Sequence, residues 1–159
     1  MDTELFIVDD NPDLHFLLYN IFKQFDKSYR VKFFEDGRSL YRHLDALSQR
    51  HDNHLFPGLI ILDLNMPGMS GMQLLTLLKQ PSKPEHVHLK DIPVVVMSSD
   101  HSEEKIINCY KRGADAYVIK PIDHELMKST LHSVCKFFLR TVDRNSQLST
   151  SHSDVTSRE

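Results

Sequence analysis

Short runs of consecutive apolar residues alternate along the chain with stretches in which apolar residues return every three or four positions. The first run, residues 5–8, is too brief for a buried helix and ends at Asp9 and Asp10. Asn11 and Pro12 follow at once, one able to accept from orphan amides and the other tolerated at the first helical position, so a helix begins there. Leu14, Leu17, Leu18, Ile21 and Phe25 then recur at helical spacing. Residues 29–34 read as a second strand, and beyond the Asp36-Gly37 turn Leu40, Leu44 and Leu47 mark a second amphipathic helix. The run 59–62 is apolar without alternation, which is the pattern of a strand covered on both faces, and it stops at Asp63.

A turn rich in Pro and Gly, residues 65–71, leads to a third helix carrying Leu74, Leu75 and Leu78, which Pro81 stops. Residues 82–91 have no apolar periodicity and are expected to form a loop. A fourth strand over 93–97 ends at Ser98 and Ser99, and a helix over about 102–112 is closed by Gly113. A fifth strand, 116–119, ends at Lys120, and a last helix is expected over about 123–139. From residue 143 to 159 the chain is Ser, Thr, Asn and Gln with scattered charge, too poor in apolar residues to offset ordering entropy, so residues 1–142 form one domain and 143–159 a disordered tail.

Five strand-helix repeats imply a parallel sheet with right-handed crossovers and helices on both faces, a doubly wound α/β fold. In such sheets ligands bind beyond the carboxyl ends of the strands. Asp9, Asp10, Asp63, Ser98 and Lys120 all stand at such ends and are expected to converge. Three carboxylates in one pocket repel one another unless a cation offsets them, and magnesium, a hard ion usually held by one or two carboxylates plus a phosphate, suits this set. Lys120, the Ser98 hydroxyl and the amides after Asp63 make the same pocket a receptor for a tetrahedral anion. An attacking Asp63 carboxylate then gives covalent phosphoryl transfer.

Composition narrows the partners. With 19 basic and 22 acidic residues and a net charge of −3, both signs spread along the chain, no nucleic-acid or membrane surface stands out. Cys109 and Cys135 lie in apolar helical patterns without metal-site spacing, and the amino-terminal segment lacks the features of a signal peptide; a reducing, cytoplasmic setting fits best.

These residues resemble the response-regulator receiver domains of two-component signalling over residues 4–139. The likeness rests on Val8-Asp9-Asp10, on the segment Leu62-Asp63-Leu64-Asn65-Met66-Pro67-Gly68-Met69-Ser70-Gly71, on Ser98, and on Tyr117 with Lys120-Pro121. The resemblance implies a flavodoxin-like three-layer fold with five helices and strand order 2-1-3-4-5. It makes Asp63 the phosphoacceptor, with Asp10, Asp63 and the Asn65 carbonyl binding magnesium directly and Asp9 doing so through water. Lys120 then holds the phosphoryl group, and Ser98 with Tyr117 forms a switch pair. A sensor histidine kinase or histidine phosphotransfer protein is the implied donor, and a protein target receives the signal. The protein is then a phosphoacceptor that catalyses its own phosphotransfer and dephosphorylation, not a turnover enzyme. Ser98 stands where the family more often has Thr, which loosens the rotamer of the hydroxyl. The family's Lys-Pro bond is typically cis. The Phe137-Phe138-Leu139 ending and the long third loop look similar to the small regulators paired with bacterial phytochromes.

Taken singly, each residue has a plainer reading. Asp9 and Asp10 alone are a capping turn as often as a site, and Lys120 or Ser98 alone is an ordinary strand-end residue. Tyr117 alone is core. Their order decides: haloacid-dehalogenase-type phosphatases use similar groups but carry the nucleophile on the first strand, and a flavodoxin needs hydroxyls and glycine where this chain has Asp-Asp-Asn-Pro. His51, His54, His86 and His88 fall in loops without a third ligand and read as solvated surface histidines. The last helix carries more apolar residues than one buried stripe needs, which predicts a homodimer or a docked protein on the 123–139 face.

Overall fold

The computed structural model describes residues 3–25, 29–50 and 55–150, with Thr3 and residues 140–150 described as backbone alone. His51 and His54 therefore lie outside the described residues. The strands are β1 (Thr3–Val8), β2 (Tyr29–Phe34), β3 (Leu59–Leu62), β4 (Val94–Ser98) and β5 (Ala116–Ile119). Between and after them run α1 (Pro12–Phe22), α2 (Gly37–Arg50), α3 (Gly71–Lys79), α4 (Glu103–Lys111) and α5 (His124–Thr150), with a 3-10 helix at Pro84–Asp91 before β4.

All four strand pairings are parallel and the order is β2-β1-β3-β4-β5, so the doubly wound topology expected from the repeats is the one observed. Strand composition follows position. The central strands β3 and β4 are buried at every residue, whereas edge strand β2 alternates between half-buried and exposed until its buried last residue, Phe34. Successive side chains of a strand point to opposite faces, and here both faces are dry. Phe6, Ile60 and Val96 pack with Leu40, Leu74 and Leu78 under α2 and α3. Leu5, Ile61 and Val95 pack with Ile21, Met127 and Leu131 under α1 and α5. The Asn11 side chain caps α1 by accepting from the Asp13 and Leu14 amides, and Ser70 with Gln73 forms a reciprocal capping box on α3. Among the described residues no helix is long and apolar enough to cross a membrane.

Two expectations change. Residues 84–91 are not an open loop but a 3-10 helix, and it carries a buried face. The 3-10 period places every third residue on one side, and His86, Leu89 and Ile92 are the buried ones, at 1%, 0% and 7% exposure. His86 is therefore no surface histidine. Its Nε2 lies 2.7 Å from Asp45 Oδ1 and its Nδ1 3.3 Å from the Tyr41 hydroxyl, both on α2, one turn apart. A buried imidazole needs such partners, since an unpaired polar group away from water costs more than the bond returns. His88 stands beside it, half-buried, 3.4 Å from Ser48 Oγ and edge-on to Phe56. From the other side Lys79 donates to the carbonyls of Lys90 and Ile92 and pairs with Asp115 at 2.8 Å.

The second change is at the carboxyl end. The helix expected to finish near Leu139 continues to Thr150, so the first part of the segment read as a disordered tail is helical backbone. Helix propagation is cheap once a packed portion has supplied the nucleus, and this segment contains no Pro or Gly to stop it. Residues 151–159 lie outside the described residues.

Because His86 fastens the 3-10 helix to α2 from inside, His86→Ala is expected to lower the free energy of unfolding by about 2 kcal/mol. Urea denaturation checks this, and a change within error would show that Asp45 and Tyr41 are satisfied without it.

Candidate functional site

The pocket is assembled by strand register. Val8 stands level with Phe34 on one side and Leu62 on the other, so the residue following each of β1 and β3 emerges at the same height. Backbone bonds fix those residues in turn. The Asp9 amide donates to the Phe34 carbonyl, the Asp63 amide to the Val8 carbonyl, and the Lys120 amide to the Ser98 carbonyl. Three residues distant in sequence are thereby held on one rim by main-chain bonds.

Asp9 is 3% exposed and uses both carboxylate oxygens: Oδ1 accepts from the Asn11 amide at 2.9 Å and Oδ2 from Lys120 Nζ at 2.9 Å. Asp63, 6% exposed, accepts from the Asn65 amide through Oδ1 at 3.3 Å and faces Lys120 Nζ through Oδ2 at 3.9 Å. Asp10 is exposed at the mouth. Carboxylate oxygens of Asp9, Asp10 and Asp63 lie within 4.8 Å of one another. Burial pushes the Asp63 carboxyl above the usual carboxylate range; Lys120 and the Asn65 amide pull it back, while Asp9 and Asp10 push it further up.

One ammonium against three carboxylates leaves the cluster short of positive charge, and two of the three are almost fully desolvated. A hard divalent ion with oxygen ligands fits that donor set, and the exposed Asp10 edge leaves room for the waters that such an ion keeps.

The loop that follows Asp63 is held down by a glycine. The Gly71 amide donates to the Leu64 carbonyl, and a Cβ built on Gly71 would fall on the Asp63 carbonyl oxygen and within 2.5 Å of the Leu64 Cα. Only glycine permits the first turn of α3 to seat against the main chain of Asp63.

Ser98 is fully buried at the end of β4, and its Oγ accepts from the Asp100 amide at 3.2 Å. Tyr117 is half-buried on β5 and donates its hydroxyl to the Asp100 carbonyl at 2.5 Å. The Lys120-Pro121 bond is trans, unlike the isomer implied by resemblance, and the Lys120 ammonium enters the pocket all the same. The arrangement thus brings together Asp9, Asp10, Asp63 and Lys120, with Asn65 present through its amide, while Ser98 and Tyr117 meet at the loop after β4. Sequence reading passed over Tyr110, whose hydroxyl receives the Tyr117 amide, and Lys105, which pairs with Asp100 at 3.1 Å. No local pattern marks either one, since their partners lie across a loop.

Comparison with known proteins gives the geometry its context. The model of the response regulator receiver domain family matches residues 5–132. FilR2 of Methanothrix harundinacea, a probable methanogenesis regulatory protein, is 25% identical over 135 residues, spanning 85% of this chain and 83% of that one. Response regulator Rcp1 of Synechocystis sp. is 28% identical over 138 residues, 87% of this chain and 90% of its own. The crystal structure of the phosphorylated cyanobacterial phytochrome response regulator RcpA superposes with a TM-score of 0.75 at 28% identity, covering 89% of this chain and 96% of that one. A Mn(2+)-bound form of Rcp1 gives 0.69 at 27% identity, covering 87% and 96%. With a family match over most of its length, the shared sheet order and the acidic rim at the strand ends, the chain belongs to the response regulator receiver family.

Proposed function

We propose that Asp63 accepts a phosphoryl group from the histidine of a sensor kinase or histidine phosphotransfer protein, with magnesium bound at Asp10, Asp63 and the Asn65 carbonyl and Asp9 acting through water. The observation that carries this reading is the desolvated Asp63 carboxylate facing Lys120 at 3.9 Å inside a cluster of three carboxylates. In the transfer one Asp63 carboxylate oxygen attacks phosphorus and the phosphorus-nitrogen bond to the donor imidazole breaks, its electron pair leaving with the nitrogen. An ion held there would offset the charge of the phosphoryl oxygens. Lys120, anchored on Asp9 and 3.9 Å from Asp63, is the cation that meets a phosphoryl oxygen, and the Asn65 amide, which donates to Asp63, adds a donor beside it. Ser98 and Tyr117 form the switch, and the signal leaves as altered protein binding. The protein serves as a cytoplasmic phosphoacceptor that promotes its own phosphorylation and dephosphorylation, and it binds neither nucleic acid nor membrane.

The α5 face supports association with a second copy. Leu126 is 54% exposed and Phe137 67%, with Ile122 fully exposed just ahead of the helix. Apolar surface of this extent on one helix is ordinarily covered.

Intact mass after incubation with acetyl phosphate and magnesium is expected to rise by one phosphoryl group in the wild type, not with EDTA and not in Asp63→Asn. A phosphoryl group retained in Asp63→Asn would place the acceptor elsewhere. The same substitution carries a stability prediction. Since folding raises the Asp63 pKa, the native state binds protons more readily than the unfolded one, and its contribution is lost as pH rises through the folded value. In EDTA at pH 7, Asp63→Asn should therefore denature at higher urea than wild type, with the gap closing near pH ~4, where the unfolded carboxyl is itself protonated. Equal midpoints at pH 7 would mean that the cluster is not short of positive charge. Sedimentation in beryllofluoride should show a dimer that Phe137→Ala weakens; a monomer at high concentration in the wild type would remove the α5 interface.

A further inference from the structure

On the helical layer opposite α5, the surface along α3 carries a groove of about 640 Å³ to which three helices contribute. Arg38 enters it from the first turn of α2, and Arg112, the residue that ends α4, enters it from the other neighbour of α3. Gln73, Thr76 and Leu77, spaced three and four apart on α3, line it with Met69. The Met69 sulphur lies 3.4 Å from where a Gly37 Cβ would stand, so the loop after Asp63 closes against the start of α2. Thr76 Oγ1 donates to the Met72 carbonyl at 3.0 Å and accepts from Arg112 Nη1 at 2.7 Å, which fixes that guanidinium over α3. Among the described residues no carboxylate lines the groove, and neither arginine closes an ion pair.

We propose that this groove docks a segment of a partner protein in which carboxylates flank a bulky apolar side chain, with Arg38 and Arg112 selecting it. Guanidiniums bind planar carboxylates through paired hydrogen bonds, and the adaptable Met69 with Leu77 offers an apolar bed between them. Nucleic acid suits the groove less, because no aromatic side chain lines it for a base to stack on. A lone small anion would fill little of the volume and meet one arginine only. The chain as a whole carries −3, so an acidic segment is repelled by most of the surface and drawn here, which favours specificity. A staple between α4 and α3 accounts for Arg112 but not for Arg38. A cation in the first turn opposes the helix dipole, and α2 has no acidic residue in that turn. The Asp36 carboxylate just ahead is held by the Ser39 amide, and Arg38 acts on it only through space. The groove is separate from the acceptor pocket and from the α5 face, and its occupant binds with Asp63 unphosphorylated.

The test uses the full chain free of phosphoryl group. Peptides are selected on it from a random library displayed on phage, and their affinities are read by fluorescence anisotropy. Wild type is expected to enrich peptides with Asp or Glu on both sides of a large apolar residue. Arg38→Gln and Arg112→Gln should each weaken them roughly tenfold. Arg30→Gln removes the same charge from the exposed side of β2, outside the groove, and should change affinity less than about twofold. Arg38→Gln breaks no hydrogen bond or ion pair described above, so its effect is not one of misfolding. The chain has six methionines, and with 13C-methyl labelling the Met69 resonance, assigned by its loss in Met69→Leu, should shift on adding a selected peptide. Selection without acidic enrichment, an equal loss in Arg30→Gln, or an unmoved Met69 resonance would overturn the proposal. A mixed-sequence single-stranded DNA that binds wild type but not Arg38→Gln would also overturn it and assign the groove to nucleic acid.

Discussion

Three carboxylates can share a pocket this small because Lys120 stands among them. Its ammonium closes on Asp9 at 2.9 Å and remains within 3.9 Å of Asp63, so the most buried pair of negative charges has one positive charge between them. That position depends on the sheet. The Lys120 amide is bonded to the Ser98 carbonyl and Asp63 to Val8, so a slip of one residue in either pairing would turn these side chains away from the pocket. The remaining shortfall of positive charge makes the pocket ready for both a divalent ion and an incoming phosphoryl group.

The price of holding charges there is met by the core around them. Each central strand sends alternate residues into two separate apolar layers, and neither layer touches solvent at β3 or β4. Burial on both sides pins the register more firmly than burial on one, since any slip exchanges two packed faces instead of one. The polar residues appear only where the strands run out, which is where parallel sheets leave main-chain groups facing a common crevice.

Much of this was legible beforehand because its signals are local. Unbroken apolar runs at 59–62 and 93–97 mark central strands by their own composition, and Asn11-Pro12 marks a helix start within two residues. The cluster was legible for a different reason: parallel topology sends strand ends to one rim, so listing them names the three carboxylates and the lysine that converge there. His86 was misread because its identity is set by α2, 41 residues away in sequence, and because the 3-10 period of three is not one that helical or strand spacing reveals. The contacts of Asp100 with Ser98, Tyr117 and Lys105 were hidden for a related reason, since a main-chain carbonyl accepting from a distant hydroxyl leaves no trace in residue type. The extension of α5 to Thr150 was missed because composition measures what can be buried, and a helix already anchored can run on without burying anything further.

Gly71 makes the seat of Asp63 a matter of genetics as well as geometry. No coded replacement lacks a Cβ, and the space where that atom would go is already filled by the main chain of Asp63 and Leu64. A core leucine can drift through isoleucine or methionine and be repacked by its neighbours, so its lineage is free to wander. This position has no such neighbouring states to pass through. A mutation there is read at once at the main chain of Asp63, which makes a glycine with no side-chain chemistry of its own as unforgiving a point in the sequence as the aspartate it supports.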